Sequence, residues 1–312
     1  MQQLLRRPML AVADSPPVEG FIRRSALSRG LVRRFVAGET LDEALTAVQG
    51  IAAQGMTATL DQLGENVDSV DQARAAVGSY VAILHRMAAI GLEPNISVKL
   101  TMLGLDFGDE VAASGMTTVL DAAREVGGFV RIDMEGSAYT ERTIALAESL
   151  HDRYPDQVGT VIQSYLRRSP GDVDRLLARG MRLRLVKGAY AEPESVAIRD
   201  RREVDAAYVA LMERLLDAAH EPGGPYPAIA THDPALVRAT RGYALRMRIT
   251  ADCYEFQMLY GVRRDEQVAL TAEGYRMRVY VPYGTEWYPY FTRRIAERPA
   301  NALFVLRQFA SG

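Results

Sequence analysis

The chain has 312 residues, of which 48% are hydrophobic and 24% charged, and carries a formal net charge of −2. That is the balance of a globular protein large enough for one sizeable core, with no electrostatic footprint for nucleic acid. No run of about 18 apolar residues offers a membrane span. A single cysteine, Cys253, and four scattered histidines, His85, His151, His220 and His232, leave no intrachain disulfide and no metal-ligand spacing. The first residues lack a sustained apolar stretch and a small-residue cleavage site, so a reducing cytoplasm is expected.

Residues 1–20 are Pro-containing and weakly patterned, a frayed lead-in. Amphipathic helices are expected over 28–34 and 40–49, with Thr40 and Glu43 spaced as a capping box and Gly50 near the stop. Residues 1–50 are thus expected to form an N-terminal helical arm packed on a domain spanning 51–312.

From there short β-favouring runs recur, at 57–60, 96–100, 129–134, 160–165, 182–186, 228–231, weakly between 248 and 256, and at 278–281. Each is followed by a longer segment of helical period, at 71–89, 116–125, 141–151, 172–179, 204–219, 234–245, 266–274 and finally 288–298. Strict alternation implies a parallel sheet, and eight units over about 250 residues imply an α/β fold of the (β/α)8 TIM-barrel type. A doubly wound sheet is the alternative, but no strand leads into G-x-G-x-x-G or a G-x-x-x-x-G-K-[ST] loop.

Barrel chemistry sits at the C-terminal strand ends, and several carry polar groups that a packed core would not want. Unit by unit they are Asp61 to Glu65, Lys99, Asp133 to Glu135, Gln163, then Arg184 and the turn Lys187-Gly188-Ala189-Tyr190, then Thr231-His232-Asp233, Gln257 and Tyr280. Singly, a strand-end lysine is more often an ion-pair partner than a catalyst. Together, Lys99, Arg184, Lys187, Arg293 and Arg294 imply a cationic cavity with Asp133 and Glu65 as counter-charges, suited to a small acid and an anionic cofactor.

The last helix carries the rest. Pro289 suits its first position and Pro299 closes it, which places Tyr290, Arg293, Arg294 and Glu297 on one face. Two guanidiniums beside a phenol make a planar grip for a carboxylate, although a solvated arginine pair is the commoner meaning of such a face.

Ser97-Val98-Lys99-Leu100, Ile132-Asp133-Met134-Glu135, Leu185-Val186-Lys187-Gly188-Ala189-Tyr190, Ala230-Thr231-His232, Glu255-Phe256-Gln257 and Tyr290-Phe291-Thr292-Arg293-Arg294, in that order, resemble the proline dehydrogenase family over most of 57–301. The resemblance implies a distorted barrel holding non-covalent FAD. It also implies oxidation of L-proline to 1-pyrroline-5-carboxylate by hydride transfer from proline C5 to flavin N5, with electrons passed to a membrane quinone. By the same resemblance Arg293, Arg294 and Lys99 take the substrate carboxylate, and Asp133 and Arg184 occupy active-site positions. Met134, Gln163, Arg184, Val186, Lys187, Gly188, Ala189, Tyr190, Thr231 and His232 contact FAD. Tyr280, Tyr290 and Leu259 wall the proline ring, and Glu65 closes an ion-pair gate with the last helix. Ala191 stands where bifunctional members carry Trp, and no aldehyde dehydrogenase module follows, so the likeness is to the stand-alone bacterial type with a separate 1-pyrroline-5-carboxylate dehydrogenase downstream. A quinone acceptor implies transient contact with the inner face of the membrane.

Two other chemistries fit the residues taken alone. One is a Schiff-base lyase or aldolase using Lys99 or Lys187, and the other an amino-acid sensor without turnover. For the oxidation itself no dedicated general base stands out.

Overall fold

The computed structural model describes residue 30 and residues 32–296. Eight parallel strands close into a barrel in chain order: β1 (Thr57–Gln62), β2 (Asn95–Val98), β3 (Phe129–Ile132), β4 (Val158–Gln163), β5 (Arg182–Val186), β6 (Ala228–Ala230), β7 (Glu255–Leu259) and β8 (Arg276–Tyr283). Helix α1 (Leu41–Ala52) precedes the barrel. The crossovers carry α2 (Val70–Ala89), α3 (Asp109–Glu125), α4 (Ser137–His151), α5 (Ser169–Leu177), α6 (Arg201–His220), α7 (Pro234–Met247) and α8 (Arg264–Ala272), and α9 (Trp287–Ala296) follows β8. This is the (β/α)8 arrangement that the alternation implied.

Closure is set by the β1–β8 seam, where Thr57 faces Arg278 and Asp61 faces Pro282. Strand β4 is buried at every position, as a parallel strand covered on both faces must be. Helix α2 shows how the outer ring is built. Ser69 caps it by accepting from the Gln72 amide, and Ala73, Ala76, Tyr80, Ile83, Leu84 and Met87 recur at helical spacing on the buried face. Each large apolar side chain so buried contributes about 1.5–3 kcal/mol. The barrel interior is less ordinary. Arg131, Arg184, Glu255, Gln257 and Arg278 are all buried within it, where such barrels mostly place Val, Ile and Leu.

The boundaries differ from the sequence reading in instructive places. Strands β2 and β3 stop at Val98 and Ile132, so Lys99, Asp133 and Met134 lie just beyond the strand ends. Strand β7 is Glu255–Leu259 rather than a run within 248–256, because Arg248 terminates α7 in the left-handed region (φ 59°) and the segment after it turns. Helices α3 and α4 begin several residues before the expected 116 and 141, their first turns disguised by small and polar residues. The Thr40/Glu43 capping box is formed, but α1 continues through Gly50 to Ala52. Position 50, the expected edge of the arm, therefore lies inside a helix, and 1–29 and 31 fall outside the described residues. Helix α9 starts at Trp287, which makes Pro289 its third residue, still within the turn whose N–H groups lack helical acceptors. Glu297, Arg298 and Pro299 lie outside the described residues.

A second, smaller apolar cluster sits at the barrel mouth. Val32, Phe35 and Val36 from the segment before α1 pack with Leu63 and with Trp287, Tyr288, Tyr290 and Phe291 of α9. The Trp287 and Phe291 rings meet edge to face at 5.9 Å, and the indole N–H donates to Glu39 Oε1 at 3.1 Å. The segment crosses the β7–α8 loop so closely that a Cβ on Gly261, itself at φ +71°, would lie 1.6 Å from the Arg34 carbonyl oxygen.

Candidate active site

Beyond the C-terminal strand ends opens a cavity of about 960 Å³. Every residue that the sequence reading assigned to the substrate, cofactor or gate lines it: Lys99, Asp133, Arg184, Tyr280, Tyr290, Leu259, Arg293, Arg294 and Glu65, with Met134, Gln163, Val186, Lys187, Gly188, Ala189, Tyr190, Thr231 and His232. None lies elsewhere.

At its floor Arg184, at the centre of β5, is fully engaged. Its Nη1 donates to Asp133 Oδ1 at 2.6 Å, its Nε to Gln257 Oε1 at 2.6 Å and its Nη2 to Ser97 Oγ at 3.1 Å. The other oxygen of Asp133 accepts from the Tyr280 hydroxyl at 2.7 Å, and the guanidinium lies 5.3 Å from the Tyr280 ring centroid. Burial, reinforced by the Asp133 and Asp61 carboxylates, pushes the Tyr280 phenol well above its ordinary value, so it remains a hydrogen-bond donor. Strands β2, β7 and β8 and the end of β3 thus fix the one planar cation that β5 carries.

Lys99 stands beside this unit, its Nζ 2.9 Å from the buried Asp61 Oδ1. Burial opposes the ammonium charge, but Asp61 and Asp133 outweigh it and hold Lys99 above its ordinary value. For Asp61 burial dominates and raises the carboxyl against the pull of Lys99. A Schiff-base lysine must be easily deprotonated, so the geometry around Lys99 opposes the lyase scheme. Lys187 is likewise committed, to Asp205 Oδ1 at 2.5 Å and Asp233 Oδ2 at 2.8 Å.

Over the mouth, α9 presents Arg293 and Arg294. Arg293 Nη2 lies 2.9 Å from Glu65 Oε1, which joins the loop after β1 to the last helix. Arg294 lies 5.3 Å from the Tyr290 ring centroid. Most of the expected positive charge is therefore already paired. Seven basic and five acidic side chains line the cavity, a modest cationic excess.

The far wall is built by β4, β5 and β6. Gln163 Nε2 donates to the Met134 carbonyl at 3.3 Å, while its Oε1 is buried without a partner among the described residues. Gly188 adopts φ +116°, and a Cβ there would lie 2.3 Å from the Tyr165 ring, so only glycine makes this turn. His232 Nε2 accepts from the Leu259 amide at 2.9 Å, which in a neutral ring leaves the proton on Nδ1.

Four partners went unassigned from the sequence: Asp61, Ser97, Gln257 and Asp233. Asp61 and Asp233 were noticed only as strand-end carboxylates. Their pairing with Lys99 and Lys187 depends on which strands are neighbours, and adjacency of consecutive units in a closed barrel was the one signal that could have found it.

The family profile described as proline dehydrogenase matches residues 44–307. The chain is 39% identical to a proline dehydrogenase of Deinococcus radiodurans over the whole of both sequences. It is 39% identical to proline dehydrogenase 1 of Bacillus subtilis subsp. natto, covering 97% of this chain and 98% of that one. Among solved structures it resembles proline utilization A of Bdellovibrio bacteriovorus inactivated by N-propargylglycine, with a TM-score of 0.78 and 29% identity over 86% of this chain. The chain spans only 33% of that larger protein.

Proposed function

Because the chain belongs to the proline dehydrogenase family, we propose that this cavity oxidises L-proline to 1-pyrroline-5-carboxylate with FAD as cofactor, the electrons passing on to a quinone. The observation that carries this reading is the convergence, in one cavity, of the Lys99, Arg293 and Arg294 cations with the Asp133–Arg184–Tyr280 unit. A small amino acid held by its carboxylate at the first group presents its ring to the second.

The residues on the far wall fit a flavin dinucleotide. The volume suits a large ligand, Arg201 supplies a cation for a pyrophosphate, and the buried Gln163 Oε1 offers an acceptor to a ring N–H. Met134, Gln163, Val186 to Tyr190, Thr231 and His232 would hold the cofactor, with Arg184 beside its reacting ring. FAD bound there supplies the two-electron acceptor for the hydride leaving proline C5.

The chain's own side chains align, neutralise and exclude. Clamping the carboxylate converts a bimolecular encounter into a fixed geometry, and Tyr280, Tyr290 and Leu259 wall the ring. Arg184 and Lys187 stabilise negative charge developing on the cofactor side. The Glu65–Arg293 latch holds α9 across the mouth and keeps water out. Both Asp133 oxygens are engaged, so Asp133 positions rather than accepts the amine proton, which is lost to water or before binding.

No helix among the described residues is long and apolar enough to cross a membrane. Reaching a quinone would then require transient contact of a cytoplasmic protein with the inner membrane face, and a separate dehydrogenase would consume the product. The test is the visible spectrum of the purified protein before and after anaerobic L-proline. Flavin bands that bleach support the reading, and a colourless protein unable to bind FAD or reduce a dye overturns it.

A further inference from the structure

The barrel has a second opening, at the N-terminal ends of its strands, where a cavity of about 420 Å³ is ringed by five arginines and two glutamates. One of the five, Arg184, is matched from the catalytic side by Asp133. Both carboxylates of this mouth converge on a single cation. Arg278 lies 2.9 Å from Glu255 and 2.9 Å from Glu93. That leaves Arg131, Arg182 and Arg276 with no carboxylate within ion-pair distance among the described residues.

These three guanidiniums are stacked on rings instead. Arg131 lies 4.8 Å and Arg182 5.4 Å from the Phe129 centroid, and Arg276 lies 5.6 Å from that of Tyr226. Ring contact occupies a guanidinium face and leaves its N–H edges for other partners. Arg131 is 4% exposed, donates Nη1 to the Thr160 and Arg182 carbonyls, and keeps a buried Nε with no partner among the described residues. Burial, with the neighbouring Arg184 charge, pulls its guanidinium well below the ordinary value against the weaker attraction of Glu255 and Asp133. The position is nonetheless built in. A Cβ on Gly159 would lie 2.3 Å from the Arg182 carbonyl oxygen, 2.7 Å from Arg131 Nη1 and 2.9 Å from Phe129 Cζ, so the glycine admits both the β5 backbone and the Arg131 guanidinium.

Arg131 is the buried cation of the three, while Arg182 and Arg276, half-buried and exposed, add two guanidiniums at the rim of the same cavity. We propose that this mouth binds a small oxyanion, of the phosphate, sulfate or short-carboxylate class, between Arg131, Arg182 and Arg276, as a site separate from the catalytic cavity. It does not rest on the proline reading.

The probe is inorganic phosphate, added to the purified protein as isolated at constant ionic strength against chloride, with thermal unfolding as the readout. The expected result is a saturable rise in Tm of roughly 2–4 °C. Arg276→Gln and Arg182→Gln, at exposed and half-buried positions that should still fold, are each expected to weaken phosphate binding by about tenfold or more, a loss of at least one charge-assisted bond. A shift that does not saturate reflects general salting-out and overturns the proposal. So does a shift that survives unchanged in the Arg182→Gln/Arg276→Gln double variant, since the anion then sits elsewhere, the catalytic cavity included.

Discussion

Arg184 Nε donates to Gln257 Oε1 at 2.6 Å, and the amide that receives it can face only one way. Gln257 Nε2 donates to Glu255 Oε1 at 2.5 Å, and that carboxylate, held by Arg278 Nε at 2.9 and 3.1 Å, can only accept. The oxygen of Gln257 is thereby turned toward Arg184. A cation on the catalytic face is oriented by a salt bridge at the opposite end of the barrel.

Gln257→Leu should therefore lower kcat for proline by about 10- to 100-fold, the loss of a charge-assisted bond worth about 1.5–3 kcal/mol, with KM nearly unchanged. Steady-state kinetics with a dye acceptor reads both constants. An unaltered kcat would remove Gln257 from any role in setting Arg184.

Arg294→Lys exchanges a planar fork beside Tyr290 for a point charge. KM for proline should rise roughly tenfold or more, from about 1.5–3 kcal/mol of lost carboxylate binding. A KM within twofold of the parent would take Arg294 out of the carboxylate grip.

Asp61→Asn leaves the Lys99 ammonium buried with its nearest counter-charge gone. Removing one member of a buried pair costs about 3–5 kcal/mol, and the nearby Asp133 places this case toward the lower end. Urea denaturation should show the loss as a lower midpoint at unchanged slope. A change below about 1 kcal/mol would mean that the pair is as dispensable as a surface one.

Glu255 contributes to the acid limit. Burial alone would raise its carboxyl, but Arg278 outweighs burial and holds it below the ordinary glutamate value. Below about pH 4.3 the unfolded chain takes up this proton before the folded one does, so the Glu255 contribution is whole above that pH and lost as pH falls through the depressed value. Denaturation midpoints measured across this range should fall more steeply for the parent than for Glu255→Gln. Parallel profiles would refute the assignment.

Much of the site is legible in the sequence because barrel chemistry collects at strand ends. Lys99, Asp133, Arg184 and Lys187 stood out as charges in otherwise apolar runs, and Arg293 and Arg294 as charges on a helix face that also carries Tyr290. What escaped was the pairing. Whether Lys99 meets Asp61 or Asp133 depends on the stagger between β1, β2 and β3, and no local pattern encodes it. Strand β7 was misplaced for a related reason. Its Glu255 and Gln257 point into the barrel interior, where periodicity expects Val or Leu, and only the arginines of β5 and β8 make those side chains tolerable there. The same polar interior is what links the two mouths.

The cluster joining residues 32–36 to α9 gives the entrance an apolar core of its own. Among the described residues its buried apolar side chains form a cluster apart from the main core. The bracing segment meets the barrel where the Ala37 amide donates to the Pro282 carbonyl at 2.8 Å and the Gly284 amide to the Gly38 carbonyl at 3.0 Å. The lid can therefore melt with that segment while the strand ladder stays paired. The backbone amides of α9 and of that segment should then exchange with solvent together, at a free energy well below that of the strands. Turnover, if release is slow, would be timed by this small local unfolding, and temperature would act on the entrance long before it reached the barrel.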